Sequence, residues 1–304
     1  MDPFDELLRG VRADGDDLGR TELSPPWERR FDGGEPLTLC APLRGEGWLS
    51  GAAGEAGKPR PVRAGDVVVI RGPGPFVLSD RPAPGAAPAD RTALLTGTFH
   101  ARGAVARRLL AVLPPALVVP GDEECLSLLR TLEAQIAPSH PPGQQVVRDR
   151  LLDWLLVCTL RAWFDLPEAV TPGPPGWIRA LGDEVTGPAL RAMHAAPDRS
   201  WTLAALAREA GVSRTTLADR FTRLVGEPPL TYLTDWRMAL AADLLTEPGS
   251  GSGVTVAAVA RRVGYADAFG FSAAFKRFHG VSPSEYRRTR GTGADRADAE
   301  HSPA

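Results

Sequence analysis

The side chains of this sequence that could hold a metal or attack a substrate are three cysteines and five histidines. Cys40, Cys125 and Cys158 are odd in number and form no C-x-x-C pair. They read as reduced thiols of a cytosolic protein rather than as a disulfide framework or a zinc site. Cys125 and Cys158 fall in amphipathic stretches and read as core. Cys40, on a strand, is open to two readings, an oxidant- or electrophile-sensing thiol and a buried structural one. His100, His140, His194, His279 and His301 are scattered with no ligand spacing among them. No metal, cofactor or catalytic residue is therefore expected.

A different chemistry, recognition by exposed helix faces, is written into the last third. Thr202 can cap a helix whose apolar face is Leu203, Leu206, Ala207 and Ala210. Gly211 stands where a left-handed residue is needed, Val212 packs inward and Ser213 caps the next helix. That helix turns Leu217, Phe221 and Leu224 inward and Thr215, Ala218, Asp219 and Thr222 outward. The unit then recurs. Thr255 caps a helix with Val256, Val259, Ala260 and Val263 inward, Gly264 occupies the turn, and Asp267 caps a second helix. Phe271, Phe275 and Phe278 are expected inward there, with Phe269, Ser272, Ala273 and Lys276 outward. Between the units one long helix runs from Tyr232 to Leu245, and Ser282-Pro283-Ser284-Glu285 is a capping box opening a last short helix. A helix, a short turn with glycine and a second helix is the unit that places its second helix in a major groove.

The elements that position these faces follow from length and patterning. A chain of 304 residues predicts about two domains. Between Pro36 and Leu78, and again over Thr92–Phe99, short β-branched runs alternate with Gly/Pro turns, which predicts an antiparallel barrel or sandwich. After Gly103 the periodicity becomes helical over 104–113, 124–137 and 144–164. Thr171-Pro-Gly-Pro-Pro-Gly176 cannot continue a helix and reads as a linker. The expected organisation is an N-terminal β-barrel domain (1–102), a helical dimerisation segment (103–170), a linker (171–176), an all-α double helix-turn-helix domain (177–290) and a disordered tail (291–304). The chain is thus a multidomain protein of mixed α and β class. In the helix Gln144–Phe164, Leu151, Leu152, Trp154, Leu155, Leu156 and Trp163 cover more than one stripe, which points to a homodimer.

Charge divides the same way. Residues 177–290 hold 15 Lys+Arg against 11 Asp+Glu, and the remainder holds 20 against 26. A basic segment on an acidic body points to a nucleic-acid partner at one end. No apolar run approaches the roughly 20 residues that span a bilayer. The acidic start Met1-Asp2-Pro3-Phe4-Asp5-Glu6 is unlike a secretion signal, so a soluble cytoplasmic protein, associated with the nucleoid, is expected.

Leu203–Arg288 resembles the DNA-binding domain of the AraC/XylS family of transcription regulators. The resemblance rests on Leu-Ala-Arg-Glu-Ala-Gly-Val-Ser-Arg (206–214), Phe221-x-x-Leu-Val-Gly226, Pro229-x-x-Tyr232, Trp236-Arg237-Met238, Val259-Ala-Arg-Arg-Val-Gly-Tyr265, Phe275-Lys276-Arg277 and Gly280-Val-Ser-Pro283-x-x-Tyr286-Arg287. It implies a sequence-specific regulator of double-stranded DNA, with RNA polymerase as a further partner. Thr215, Ala218 and Asp219 would face bases from the first unit, and Phe269, Gly270 and Ala273 from the second. Asp219 could accept from cytosine N4, and Thr215 and Phe269 could meet thymine methyls; the alternative for Asp219 is an i,i+4 pair with Arg223. Arg214, Arg223, Arg237, Lys276 and Arg277 lie where phosphates would flank the helix ends.

Residues 20–100 resemble the cupin-type sensor domain of one branch of that family, through Glu22-Leu23-Ser24-x-Pro26-Trp27, Leu43-x-Gly45-x-x-Trp48-Leu49, Gly65-Asp66-Val67-Val68 and Gly72-Pro73. Metal-binding cupins gather a His-x-His, a Glu and a later His. No histidine precedes His100 here, so an enzyme fused to a DNA-binding domain is disfavoured. Trp27, Phe31, Cys40, Trp48 and Phe76 are candidates to line a pocket for a small apolar or aromatic effector. In the alternative reading they simply form the core, and the domain serves only protein interaction.

Overall fold

The computed structural model describes residues 3–31, 34–51, 59–72, 74–82, 91–136, 142–166, 176–246 and 254–289. The chain separates into two compact units. One holds Leu8–Arg102 and Leu109–Pro175; the other holds the chain up to Leu7, Gly103–Arg108 and everything from Gly176 onward. Segments 3–7 and 103–108 therefore belong with the helical unit, a return that domains at 1–102 and 103–170 did not include. Residues 171–175 of the expected linker and the tail 291–304 lie outside the described residues.

Among the described residues, nine strands build the first unit: β1 (Val11–Leu23), β2 (Glu28–Phe31), β3 (Leu37–Arg44), β4 (Glu46–Ser50), β5 (Arg60–Arg63), β6 (Val67–Arg71), β7 (Phe76–Ser79), β8 (Thr92–Ala101) and β9 (Ala116–Val119). They form two antiparallel sheets, β1-β8-β3-β6-β9 and β2-β7-β4-β5. Cys40, Val68, Ile70 and Leu94 of the larger sheet pack against Leu49, Val62, Phe76 and Leu78 of the smaller one, with Trp27, just before β2, in the same cluster. The alternate residues face the other way. Leu39 pairs with Gly97 and with Val69, and a Cβ at Gly97 would stand 3.0 Å from Leu152 Cδ2 of the helix α4 (Gln144–Asp165). Both faces of the central strands are covered, which is why Val67–Ile70 is a continuous apolar run.

Of the antiparallel barrel or sandwich expected, the strands take the open, two-sheet form. The turn at Gly65 (φ 91°) carries the chain from β5 in one sheet to β6 in the other. Among the described residues no ladder joins the two sheets. Strands β1, β2, β5 and β9 carry no alternation that patterning could read. In β1 the run Asp14-Gly15-Asp16-Asp17 interrupts it, and the pairing with β8 shifts register between Asp14 and Gly19.

Helices α3 (Glu123–Gln135) and α4 complete this unit. Asp122 caps α3 by accepting from the Cys125 amide at 2.7 Å. Leu152, Leu155, Leu156, Leu160 and Trp163 of α4 are buried, whereas Val146, Val147 and Trp154 are exposed.

The second unit holds α1 (Pro3–Leu8) up to Leu7, the first turns of α2 (Gly103–Val112), and α5 (Gly176–Gly182), α6 (Thr186–Ala195), α7 (Leu203–Glu209), α8 (Arg214–Val225), α9 (Pro229–Thr246), α10 (Val256–Arg262) and α11 (Ala268–His279), with a last helix over 283–289. Tyr232, Leu233, Trp236, Met238, Ala239, Ala241, Ala242 and Leu245 of α9 are all buried. Such a helix, apolar on every side, is the core of its unit.

Candidate nucleic-acid interface

The two helix pairs are built by the same local bonds. In the first, Thr202 Oγ1 accepts from the Ala205 amide at 3.1 Å and starts α7. Gly211 (φ 66°) reverses the chain, and the Val212 amide donates to the Ala207 carbonyl at 3.0 Å. Ser213 Oγ accepts from the Thr216 amide at 3.1 Å and starts α8. In the second, Thr255 caps through the Ala258 amide at 3.1 Å, Gly264 has φ 81°, and the Tyr265 amide donates to the Ala260 carbonyl at 2.9 Å. Asp267 then accepts from the amides of Phe269 and Gly270 at 2.9 and 2.7 Å. Hydroxyl and carboxylate caps of this kind are each worth about 1 kcal/mol. Gly226 and Gly280, both left-handed, end α8 and α11.

Each second helix has one buried and one open face. Leu217 and Phe221 of α8 are fully buried, while Thr215 and Asp219 are exposed and Ala218 is half-buried. Phe271 and Phe275 of α11 are fully buried, while Ala273 is exposed, Gly270 is half-buried and Phe269 is 87% exposed. Phe278, expected inward, is also exposed, because the core behind α11 is filled by Tyr286, whose ring meets Phe275 edge-on at 5.4 Å.

The open face of α11 thus offers an aromatic ring, a glycine and a methyl group. Only apolar contact with a base edge suits such a set. The open face of α8 adds a hydroxyl and a carboxylate. Among the described residues Asp219 has no ion-pair partner, Arg223 included.

Arg214, Arg223, Lys276 and Arg277 are exposed around these faces. Arg237 is half-buried and clasps backbone: its Nε donates to the Pro197 carbonyl at 2.7 Å and Nη2 to that of Arg199 at 2.8 Å. A Cβ at Gly264 would lie 2.7 Å from that same Nη2, so this turn needs glycine for space as well as for φ. Sequence reasoning passed over Arg220, which is tied to Asp183, and the exposed pair Arg261-Arg262 in the last turn of α10. At α11 the Asp267 carboxylate already occupies two of the free amides, which sets a negative charge where a phosphate would otherwise dock.

In the sandwich, Trp27, Cys40 and Phe76 converge in the core and Phe31 packs against it from the edge. Trp48 is half-buried, on the face of β4 opposite to the buried Leu49. The Trp27 Nε1 is buried with no hydrogen-bond partner among the described residues. Burial pushes the Cys40 thiol up to about 12, against a smaller opposing pull from Arg29. A groove of about 150 Å³ lies elsewhere, lined by Pro42, Leu43, Gly65, Leu126, Leu129, Arg130 and Glu133. Among the described residues no three His, Cys, Asp or Glu come together as a metal site, and no helix is long and apolar enough to cross a membrane.

A β-rich unit with a double helix-turn-helix unit defines a class of DNA-binding regulators, and comparison with known proteins gives the family. A cupin family model matches residues 2–165, and a helix-turn-helix domain model matches 206–289. The chain is 32% identical to an AraC-like transcription regulator of Streptomyces lividans, over 95% of this chain and 98% of that one. It is also 32% identical to one of Streptomyces antibioticus, over 95% and 99%. The regulator AlkR of Acinetobacter baylyi is 35% identical over 48% of this chain and 45% of its own. This chain belongs to the AraC-like transcription regulators, with a cupin domain in front of the DNA-binding one.

Proposed function

We propose that this regulator reads its DNA site with α8 and α11 together, each in a major groove. Thr215, Ala218 and Asp219 would meet bases from the first, and Phe269, Gly270 and Ala273 from the second. Arg214, Arg223, Lys276 and Arg277 would hold flanking phosphates, and Arg237 would do so with the nitrogen its backbone clasp leaves over. The observation that carries this reading is the pair of open helix faces, raised on matching frames with the buried α9 between them. The chain would do no chemistry of its own, would work in the cytoplasm at the nucleoid, and would meet RNA polymerase as a further partner. Its dimer would form through α4, where Val146, Val147 and Trp154 are exposed.

For the sandwich two readings stand. The unpartnered Trp27 Nε1 favours a small apolar or aromatic effector among Trp27, Phe31, Cys40, Trp48 and Phe76. The side chains that fill the space between the sheets favour an interaction module without a ligand. A thermal-shift screen separates them: a ligand that binds the folded state raises the melting temperature.

Mapping the bound sites across a genome, followed by gel shifts with the full chain, tests the main reading. Binding should weaken linearly in log K against log salt, with a slope near −0.9 for each phosphate neutralised. A folded chain that binds none of the mapped sites would overturn it.

A further inference from the structure

The two segments that return to this unit meet one stripe of α9, the first of them through His194 of α6, whose ring packs on Trp236 at 4.0 Å. Tyr232, Trp236 and Asp243 mark that stripe at helical spacing. From the first segment, with Phe4 and Leu7 buried, Glu6 Oε2 lies 3.4 Å from His194 Nδ1. His194 Nε2 lies 2.7 Å from the Tyr232 hydroxyl, which also accepts from Trp177 Nε1 at 2.7 Å. From the second segment, the Arg108 guanidinium stands 5.2 Å from the Tyr232 ring centre and 6.0 Å from that of Trp236.

The firmest contact is at Asp243. Arg102, in the cap position of α2, supplies no side-chain cap. The Asp243 carboxylate does so instead, accepting from the amides of Ala104 and of Val105, the latter at 3.0 Å. Gly103 (φ 89°) makes the approach feasible, since a Cβ there would stand 2.7 Å from Asp243 Oδ2.

The same helix touches both recognition helices. Tyr232 packs edge-on against Phe221 of α8 at 5.7 Å, and His279 of α11 meets the Met238 carbonyl at 3.2 Å. We propose that segments 3–7 and 103–108 form a latch on α9 that preorganises α8 and α11 for DNA, with Asp243 as its catch. Only Arg102 separates Gly103 from the end of β8 at Ala101, so the catch is within one residue of the sandwich along the chain. The inference rests on DNA binding through α8 and α11, and its test keeps the two apart.

In the full-length protein, Asp243→Ala and Gly103→Ala should each weaken binding to mapped sites about fivefold or more, alike for all sites, and the double variant should be no worse than the single ones. Linkage requires the converse: saturating DNA should slow hydrogen exchange at the Ala104 and Val105 amides of the wild type by a similar factor. The exchange measurement needs no variant, so it decides even where a substitution unfolds the chain. Wild-type binding with unchanged or tighter binding by both variants, additive losses, or exchange indifferent to DNA would overturn the latch. Wild-type failure to bind any mapped site would instead overturn the DNA-binding reading.

Discussion

Arg220 of α8 reaches Asp183 Oδ2 with two nitrogens, Nε at 3.0 Å and Nη2 at 2.5 Å, and so ties α8 to the turn that precedes α6. Asp183 Oδ1 meanwhile accepts from the amides of Val185 and Thr186, both at 3.0 Å. One carboxylate therefore starts one helix and holds another.

That carboxylate makes stability depend on acidity. Burial works against its charge, but the Arg220 guanidinium and the two amides outweigh burial, and its pKa falls to about 2 from an ordinary 3.8. A lowered carboxylate stabilises fully above its ordinary value, and the gain is lost as pH falls through about 2. Asp183→Asn should cost the helical unit about 1–2 kcal/mol at neutral pH, and nothing once the wild-type carboxyl is protonated. Denaturant melts of both chains from pH 7 to pH 2 check this; a gap that stays constant across that range contradicts it.

The open faces should separate base reading from phosphate holding. Asp219→Ala should change the preferred base at one position, and Phe269→Ala should lose affinity for sites with a thymine opposite it, by about 1–3 kcal/mol in each case. Arg214→Ala and Lys276→Ala should weaken all sites alike. Because Phe269 is so exposed, its removal should leave the melting temperature unchanged. Selection from randomised DNA reads all four, and an unchanged preference for Asp219→Ala would leave that residue as surface charge.

Light scattering should find a full-length dimer that Val147→Glu combined with Trp154→Glu converts to a monomer, since exposed apolar side chains on α4 are the surface a second copy would cover. A full-length monomer at micromolar concentration, or a double variant that stays dimeric, goes against it.

Cys40 should not react while the sandwich is folded. A thiol with a pKa near 12 holds almost no thiolate at pH 8, and the thiolate is the nucleophile. Iodoacetamide should label Cys40 only after denaturation, as read by mass spectrometry. Labelling of the native chain at the rate of a free thiol would restore the sensing reading of this residue.

The sequence alone determined the parts whose cause is local. The caps Thr202, Ser213, Thr255 and Asp267 and the left-handed Gly211 and Gly264 act over three or four residues, so their identities disclosed two helix pairs and their open faces. Periodicity likewise located α2, α3 and α4 to within a residue or two. What only tertiary structure decided depends on partners far along the chain. Strand β1 reads as polar by itself and exists because β8 pairs with it. Which strands share a sheet, β3 with β6 and β8 but β4 with β5 and β7, was settled only by pairing between strands distant in the chain. Arg237 and Arg220 could each be read as a surface cation, yet carbonyls about 40 residues away and Asp183 claim them. Segments 3–7 and 103–108 join the helical unit through His194, Tyr232 and Asp243. Bonds of that reach leave no periodic trace, because they are set by how finished elements pack and not by how any one of them forms.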